Sequence, residues 1–334
     1  MSTEQTPDGL ILLNKQPGIT SFDALRDIKR SFGTGKVGHT GTLDKFAQGL
    51  LLVLCGKALK LSAWFSGCDK QYEALVVFGT ETDTLDPEGN IVASADLPSL
   101  NQIENILPQF RGAIMQAPPE YSAIHINGRR ASELARSGSP PEMIKRPVNI
   151  YKIALLDWTP PYARFFIHCS SGTYIRSLAR DIAIAAGSRA HIGALTRTQT
   201  AGFKIGNGEW GIGSRESGVG NQDHCQFLTR EVNKLLLQTK IPTPYSLLPI
   251  NKEVFRSLGV PWYDIDKNEL PDVIHGKALE TLLRGKTLVR DGLYSRPEKS
   301  GTAQAAAVFC NDSLAAVIEK DSDKWKYGYV YAHS

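Results

Sequence analysis

An α+β fold, built on a largely antiparallel mixed sheet with flanking helices, is what this sequence predicts, on three observations. Apolar and polar residues alternate through Val148, Ile150 and Ile153 and again through Ala163, Phe165 and Ile167, the period of two that half-buried strands show. Helical spacing (Phe22, Leu25, Ile28, Phe32; later Tyr174 to Ala186) is interspersed among the strands rather than following each in turn. Turn residues between neighbouring strands suit hairpin-like connections, which favour antiparallel pairing.

In chain order, Ser21 is placed to cap a helix that Gly33 stops. Leu50 to Leu54 is a short apolar run suited to a buried strand, Ala58 to Trp64 a helix, and Gln71 to Phe78 a second strand. Asp86-Pro-Glu-Gly89 turns the chain towards Asn90 to Ala93. Residues 116–147 carry Pro118, Pro119, Pro140, Pro141 and Pro147 around a short helical stretch from Arg130 to Arg136, which breaks the pattern as an insertion would. Six glycines between Ile205 and Gln222 read as a loop over 205–222, and a helix is expected from Gln226 to Leu237. Pro242-Thr-Pro244 to Pro249 marks a boundary, dividing the chain into 1–249 and 250–334. The second part has the short strands of a small β-barrel.

At 334 residues, 42% hydrophobic and 22% charged, the chain has the balance of a globular protein of two domains. From Asn251 onward 12 Lys/Arg meet 12 Asp/Glu, leaving 26 of the 38 basic and 22 of the 34 acidic residues in 1–250, so the net charge of +4 belongs to the first part. Arg129, Arg130, Arg136, Lys145 and Arg146 face only Glu133 and Glu142 within one short stretch, which suits a polyanion; the plainer alternative is a solvated surface. Five widely spaced cysteines without a C-x-x-C pair argue against a disulfide framework or zinc site and fit a reducing cytoplasm. The polar N-terminus and the lack of a long apolar run disfavour secretion and membrane insertion.

Chemistry is most legible between Gly38 and Gly49, Gly-His-Thr-Gly-Thr-Leu-Asp-Lys-Phe-Ala-Gln-Gly, whose single carboxylate is Asp44. Glycines at 38, 41 and 49 let the backbone take positive φ or approach a ligand closely, so Asp44 projects from a tight loop. A turn or capping aspartate is the alternative reading. Gly33-Thr-Gly35-Lys-Val-Gly38 matches G-x-G-x-x-G, but a helix rather than a strand precedes it and no acid follows at the right distance; His39 also stands where a P-loop needs lysine.

The segment Gly38 to Leu52 resembles the catalytic motif of the TruB-type tRNA pseudouridine synthases. Leu13-Asn14-Lys15 to Pro17-Gly18, Lys70-Gln71-Tyr72, Gln116 to Ala123, Gly172 to Asp181 and Leu195 to Thr198 with Gly202-Phe203 follow in that family's order, over about residues 10 to 205. The resemblance implies the pseudouridine synthase fold, with 116–147 as a thumb that closes over RNA and 250–334 as a PUA-type RNA-binding barrel. It implies isomerisation of uridine 55 in the tRNA T stem-loop, without metal or cofactor, by a cytoplasmic monomer.

By the same resemblance Asp44 attacks as a nucleophile or serves as a base on the sugar, Arg176 holds it charged, and Tyr72 stacks on the flipped base and relays a proton. His39, Tyr174 and Leu195 line the substrate site, and Lys15, Lys70, Arg129, Arg130 and Arg197 are candidates for phosphate contact. Each has a plain alternative as core or solvated surface. Lys45 replaces the family's Pro, His125 a Lys, Ser132 an aromatic and Thr196 an Arg. Two rivals remain at this level: a guide-RNA-dependent ribosomal RNA synthase, and a tRNA-folding chaperone without catalysis.

Overall fold

The computed structural model describes residues 7–204, 211–212, 247–289, 305–321 and 324–331. Most of the loop expected over 205–222 and all of the helix expected over 226–237 lie outside them.

The strands run in chain order as β1 (Gly9–Lys15), β2 (Val37–His39), β3 (Gln48–Cys55), β4 (Lys70–Phe78), β5 (Thr80–Thr82), β6 (Ile91–Ser94), β7 (Gly112–Gln116), β8 (His125–Ile126), β9 (Arg129–Arg130), β10 (Arg146–Thr159), β11 (Tyr162–Cys169), β12 (Ala190–Thr200), β13 (Phe203–Lys204) and β14 (Gly211–Ile212). The main sheet has the order β1-β3-β12-β4-β11-β10-β7, with β2, β13 and β14 off that path. All of its pairings are antiparallel except β12 with β3, where Thr196 meets Gln48 and Arg197 meets Gly49. That parallel junction inside the sheet sets Arg197 beside the loop that carries Asp44. The architecture is the α+β arrangement the alternation predicts.

Both faces of β1 and β3 are covered, which explains why their sequences are continuous apolar runs rather than alternating ones. Leu10, Leu12, Leu50, Leu52 and Leu54 face a core shared with Val254, Phe255 and Phe309, whereas Ile11, Leu13, Leu51 and Val53 face Leu25 and Ile28. A third core, under β4 and β11, is closed by the helix Ile175–Ala185, through Leu178, Ile182 and Ala183.

Two helical expectations need correction. The stretch after Ser21 folds as a 3-10 turn, Asp23–Leu25, followed by a short helix, Arg26–Ser31, and Ser21 does not cap it. Its hydroxyl is engaged elsewhere, and Phe22, expected on the apolar face, is exposed. Ala58 to Trp64 is likewise split between a 3-10 helix, Gly56–Leu61, and a helical turn, Ser62–Ser66.

Towards the C-terminus Asn251 caps the helix Lys252–Leu258 by accepting from Val254 N, and Gly259 ends it at φ 66°. The strands β15 (Trp262–Ile265), β16 (Ala305–Cys310), β17 (Ser313–Asp321) and β18 (Lys324–Val330) form a sheet in that order, with β15 and β16 parallel. Among the described residues this sheet is open, with β15 and β18 as its edges, not the closed barrel expected.

A candidate active site around Asp44

The loop between β2 and β3 is held by side chains rather than by a ladder. Gly49 has φ 108°, and a Cβ there would lie 2.4 Å from the Arg197 carbonyl oxygen, so only glycine permits the parallel contact with β12. Gly41 also has positive φ (127°); Gly38 does not, and its requirement is space, a Cβ coming within 2.8 Å of Leu59. Arg197 is fully buried, its Nε donating to Leu50 O at 2.6 Å and Nη2 to Gly41 O at 3.1 Å. Lys15 is buried too and donates to the carbonyls of Gln16, Ile19 and Lys45. Ser21 completes the clamp: Leu43 N donates to its Oγ at 2.8 Å and the hydroxyl donates to Leu43 O at 3.0 Å.

Asp44, thus fixed from the residue before it, meets Arg176 from the helix Ile175–Ala185. Nη2 donates to Oδ1 at 3.0 Å and Nε lies 3.0 Å from Oδ2. The guanidinium is nearly enclosed, while 36% of the Asp44 side chain remains open, so the carboxylate faces outward from a rigid support. The same guanidinium serves three further acceptors: Nη1 donates to Thr84 O at 2.8 Å and to Asp86 Oδ2 at 3.4 Å, and Nη2 to Tyr121 O at 3.0 Å. Burial pushes the Asp44 carboxyl above its ordinary value; Arg176 opposes this, Asp86 adds to it, and Lys15 opposes it.

Asp86 is a site member that sequence reasoning missed. It stands in the expected turn, Asp86-Pro-Glu-Gly89, where an aspartate accepting from Glu88 N and Thr84 Oγ1 is ordinary turn chemistry. Its second oxygen, directed at Arg176, had no local signal. Lys45, which stands where the family has Pro, pairs with Glu88 at 3.1 Å in the same turn; both side chains are about half exposed, so the pair adds little.

Tyr72 and Leu195, expected at the substrate site, are buried within the core that also holds Leu43 and Ile175. Burial drives the Tyr72 phenol up to about 12 despite Arg197 beside it, so at neutral pH it is protonated. Tyr174, half-buried, starts the helix that carries Arg176, and burial raises its phenol too. His39, on β2, is held in the neutral form by burial, with Arg197 adding to the effect; its Nδ1 has no hydrogen-bond partner among the described residues. A carboxylate in this setting can attack or take a proton, with neutral donors close by in the fold.

Of the five cations expected to face phosphate, only Arg129 and Arg130, at the Asn127-Gly128 hairpin, are exposed. Lys15, Lys70 and Arg197 lie inside and donate to backbone carbonyls; for Lys70 these are Ser66 O and Cys68 O. Sequence alone does not separate these cases, because a cation that organises a loop and one that binds RNA occur in the same kind of motif.

Comparison with known proteins places these residues in context. Residues 29–175 match the model of the TruB family pseudouridylate synthase, N-terminal domain. The tRNA pseudouridine synthase B of Borreliella burgdorferi (strain ZS7) is 47% identical over 201 residues, which are 59% of this chain and 71% of that protein. The protein of the same name from Bordetella avium (strain 197N) is 46% identical over 205 residues, 60% of this chain and 84% of that one. Among solved structures, an H/ACA RNP bound to a substrate RNA containing 2'-deoxyuridine aligns over 97% of this chain and 85% of that one, with a TM-score of 0.62 and 21% identity. At that identity the likeness is one of fold. Among the described residues no helix is long and apolar enough to cross a membrane.

Proposed function

Because the chain belongs to the TruB family of pseudouridylate synthases, we propose that it isomerises uridine 55 in the T arm of tRNA to pseudouridine, with Asp44 acting on a nucleotide flipped out of its stack. The two-point approach of Arg176 to Asp44 carries the reading. Isomerisation breaks the N1–C1′ bond, turns the freed base, joins C5 to C1′, releases the C5 proton and places one on N1, with no net change in atoms. A carboxylate that leaves its buried cation on one side and opens outward on the other is suited to attack the sugar, or to take a proton from it.

Tyr72, Tyr174, His39 and Leu195 then border the extruded base, with Tyr72 as a proton donor rather than a base, and stacking offsets the few kcal/mol that extrusion costs. Arg129 and Arg130 meet the phosphate backbone from the thumb, Lys15 and Arg197 hold the loop, and Lys70 holds the turn before β4. Residues 250–334 serve as a PUA-type RNA-binding domain on a catalytic domain of residues 1–249, in a monomer acting in the cytoplasm.

The test is tritium release from 5-labelled uridine in a T-arm stem-loop, with the purified chain alone. Release without guide RNA supports the reading; release only with a guide would make this a guide-dependent ribosomal RNA synthase. Asp44→Asn is expected to abolish release and leave stem-loop binding intact. Binding without release by the unaltered chain would leave a tRNA-folding chaperone.

A further inference from the structure

The thumb segment is tied to the catalytic helix by more than its strands. Gln116, the last residue of β7, is buried, and its amide makes a two-point bond with the main chain of Tyr174: Tyr174 N donates to Oε1 at 2.8 Å, and Nε2 donates to Tyr174 O at 3.1 Å. A side-chain amide has one acceptor and two donors at its tip, so it can stand in for a neighbouring strand. Tyr174 is the capping residue of the helix Ile175–Ala185, in extended conformation at φ −99° and ψ 109°. One residue further along the thumb, Ala117 O accepts from Arg180 Nη2 at 3.3 Å, and Tyr121 O accepts from Arg176 Nη2 at 3.0 Å. Residues 116–121 are therefore fastened at three points to the first half of the helix that carries Arg176 and to its capping residue. The nitrogen that bonds Tyr121 is also the one that bonds Asp44.

We propose that Gln116 is a positioning residue for the isomerisation: by fixing the main chain of Tyr174 it aims Arg176 so that one guanidinium nitrogen serves both the thumb, through Tyr121 O, and the carboxylate of Asp44. Placement of the thumb and placement of the carboxylate are thereby one equilibrium. A thumb displaced from its seat withdraws the Tyr121 carbonyl and removes the constraint on Arg176, and a reacting group moved by about 1 Å loses on the order of 100-fold in rate. The inference rests on the functional reading above.

Two variants test it, each read by single-turnover tritium release at a range of stem-loop concentrations and below its own unfolding midpoint. Gln116→Met keeps the length and removes both bonds. Its rate at saturating stem-loop is expected to fall by about 100-fold, with the half-saturating concentration unchanged. Gln116→Glu is the conservative variant: ionised, it has no donor for Tyr174 O, and protonated it regains both bonds. A buried carboxyl resists ionisation, so the ratio of this variant's rate to that of the unaltered chain should rise as the pH falls from about 8 to about 6.

A methionine variant that reacts at the unaltered rate overturns the proposal, as does a loss expressed only as weaker binding. Should the methionine variant not fold, the glutamate variant decides, and a rate ratio that stays low and independent of pH counts against the proposal. An unaltered chain that releases no tritium would sink the functional reading first and this inference with it.

Discussion

Ser21→Ala separates a capping serine from a loop clamp. The hydroxyl accepts from Leu43 N at 2.8 Å and donates to Leu43 O at 3.0 Å, inside the protein. Removing it strips a buried donor and a buried acceptor of their side-chain partner at once. An unsatisfied buried polar group costs about 1–3 kcal/mol, so two cost about 2–6 kcal/mol, and partial relaxation brings the expectation to about 2–4 kcal/mol. A lost cap on so short a helix would cost only about 1 kcal/mol. In thermal unfolding the larger figure corresponds to a fall of roughly 5–15 °C. Because Leu43 directly precedes Asp44, turnover should drop as well, by up to about 100-fold if the carboxylate shifts by about 1 Å. Calorimetry and single-turnover kinetics on the same preparation read both effects. A fall of less than about 3 °C with an unchanged rate would refute the clamp.

Three further outcomes follow from the same geometry. The Asp44 carboxyl is held above its ordinary value of 3.8, so the acid limb of single-turnover release should have its midpoint above that value, the rate falling as pH drops and the carboxylate takes up a proton; a rate flat through pH 4 would remove this carboxyl from the reaction. Arg129→Ala and Arg130→Ala should each weaken stem-loop binding and lower the slope of log affinity against log salt by about 0.7–0.9, whatever the base sequence; an unchanged slope would take that arginine off the RNA. Lys15 and Lys70 are both lowered by burial to about 8 from 10.5, so above that pH the folded chain sheds protons that the unfolded chain keeps, and stability should rise with pH. The rise is confined to the window between about pH 8 and 9, because Cys55 and Cys169 are raised from 9.0 to about 11 and about 12 and act in the opposite sense beyond it. Denaturant midpoints measured across the window check the sign, and a falling midpoint would contradict it.

What the sequence revealed is what local periodicity and spacing encode. Strand β11 is legible because Ala163, Phe165 and Ile167 turn to one core, and Leu50 to Leu54 because both faces of β3 are buried. The proximity of Asp44 and Arg176 was expected from their motifs, although 131 residues of chain lie between them. Residues whose partners are remote and whose local pattern already has an explanation were missed or misplaced. Asp86 looked like a turn residue and is one, with one oxygen left over for Arg176. Ser21 looked like a cap, and its hydroxyl instead reaches a residue 22 positions away. Lys15, Lys70 and Arg197 looked like surface cations; their burial follows from pairings such as Arg197 against Gly49, and no window of neighbouring residues contains that information.

The interior cations and the shape of the loop are two aspects of one solution. A loop that must present a carboxylate cannot be locked into the sheet, because ladder pairing would turn its side chains alternately into the core. Its carbonyls still need donors once water is excluded. Lys15 and Arg197 supply these at Lys45 and Gly41 and anchor themselves on Gln16, Ile19 and Leu50, while Arg176 donates to Thr84 O and Tyr121 O as it holds Asp44. Used this way, a cation satisfies backbone oxygen and places positive charge beside the loop in one step. The charge of Arg176 and Lys15 opposes the burial that pushes Asp44 towards its neutral form. A neutral donor such as glutamine at position 15 could bond the same carbonyls yet contribute nothing to that balance. Lys15→Gln should therefore raise the midpoint of the acid limb even where the fold is kept, and a midpoint that does not move would show that Lys15 matters to the loop only as a donor.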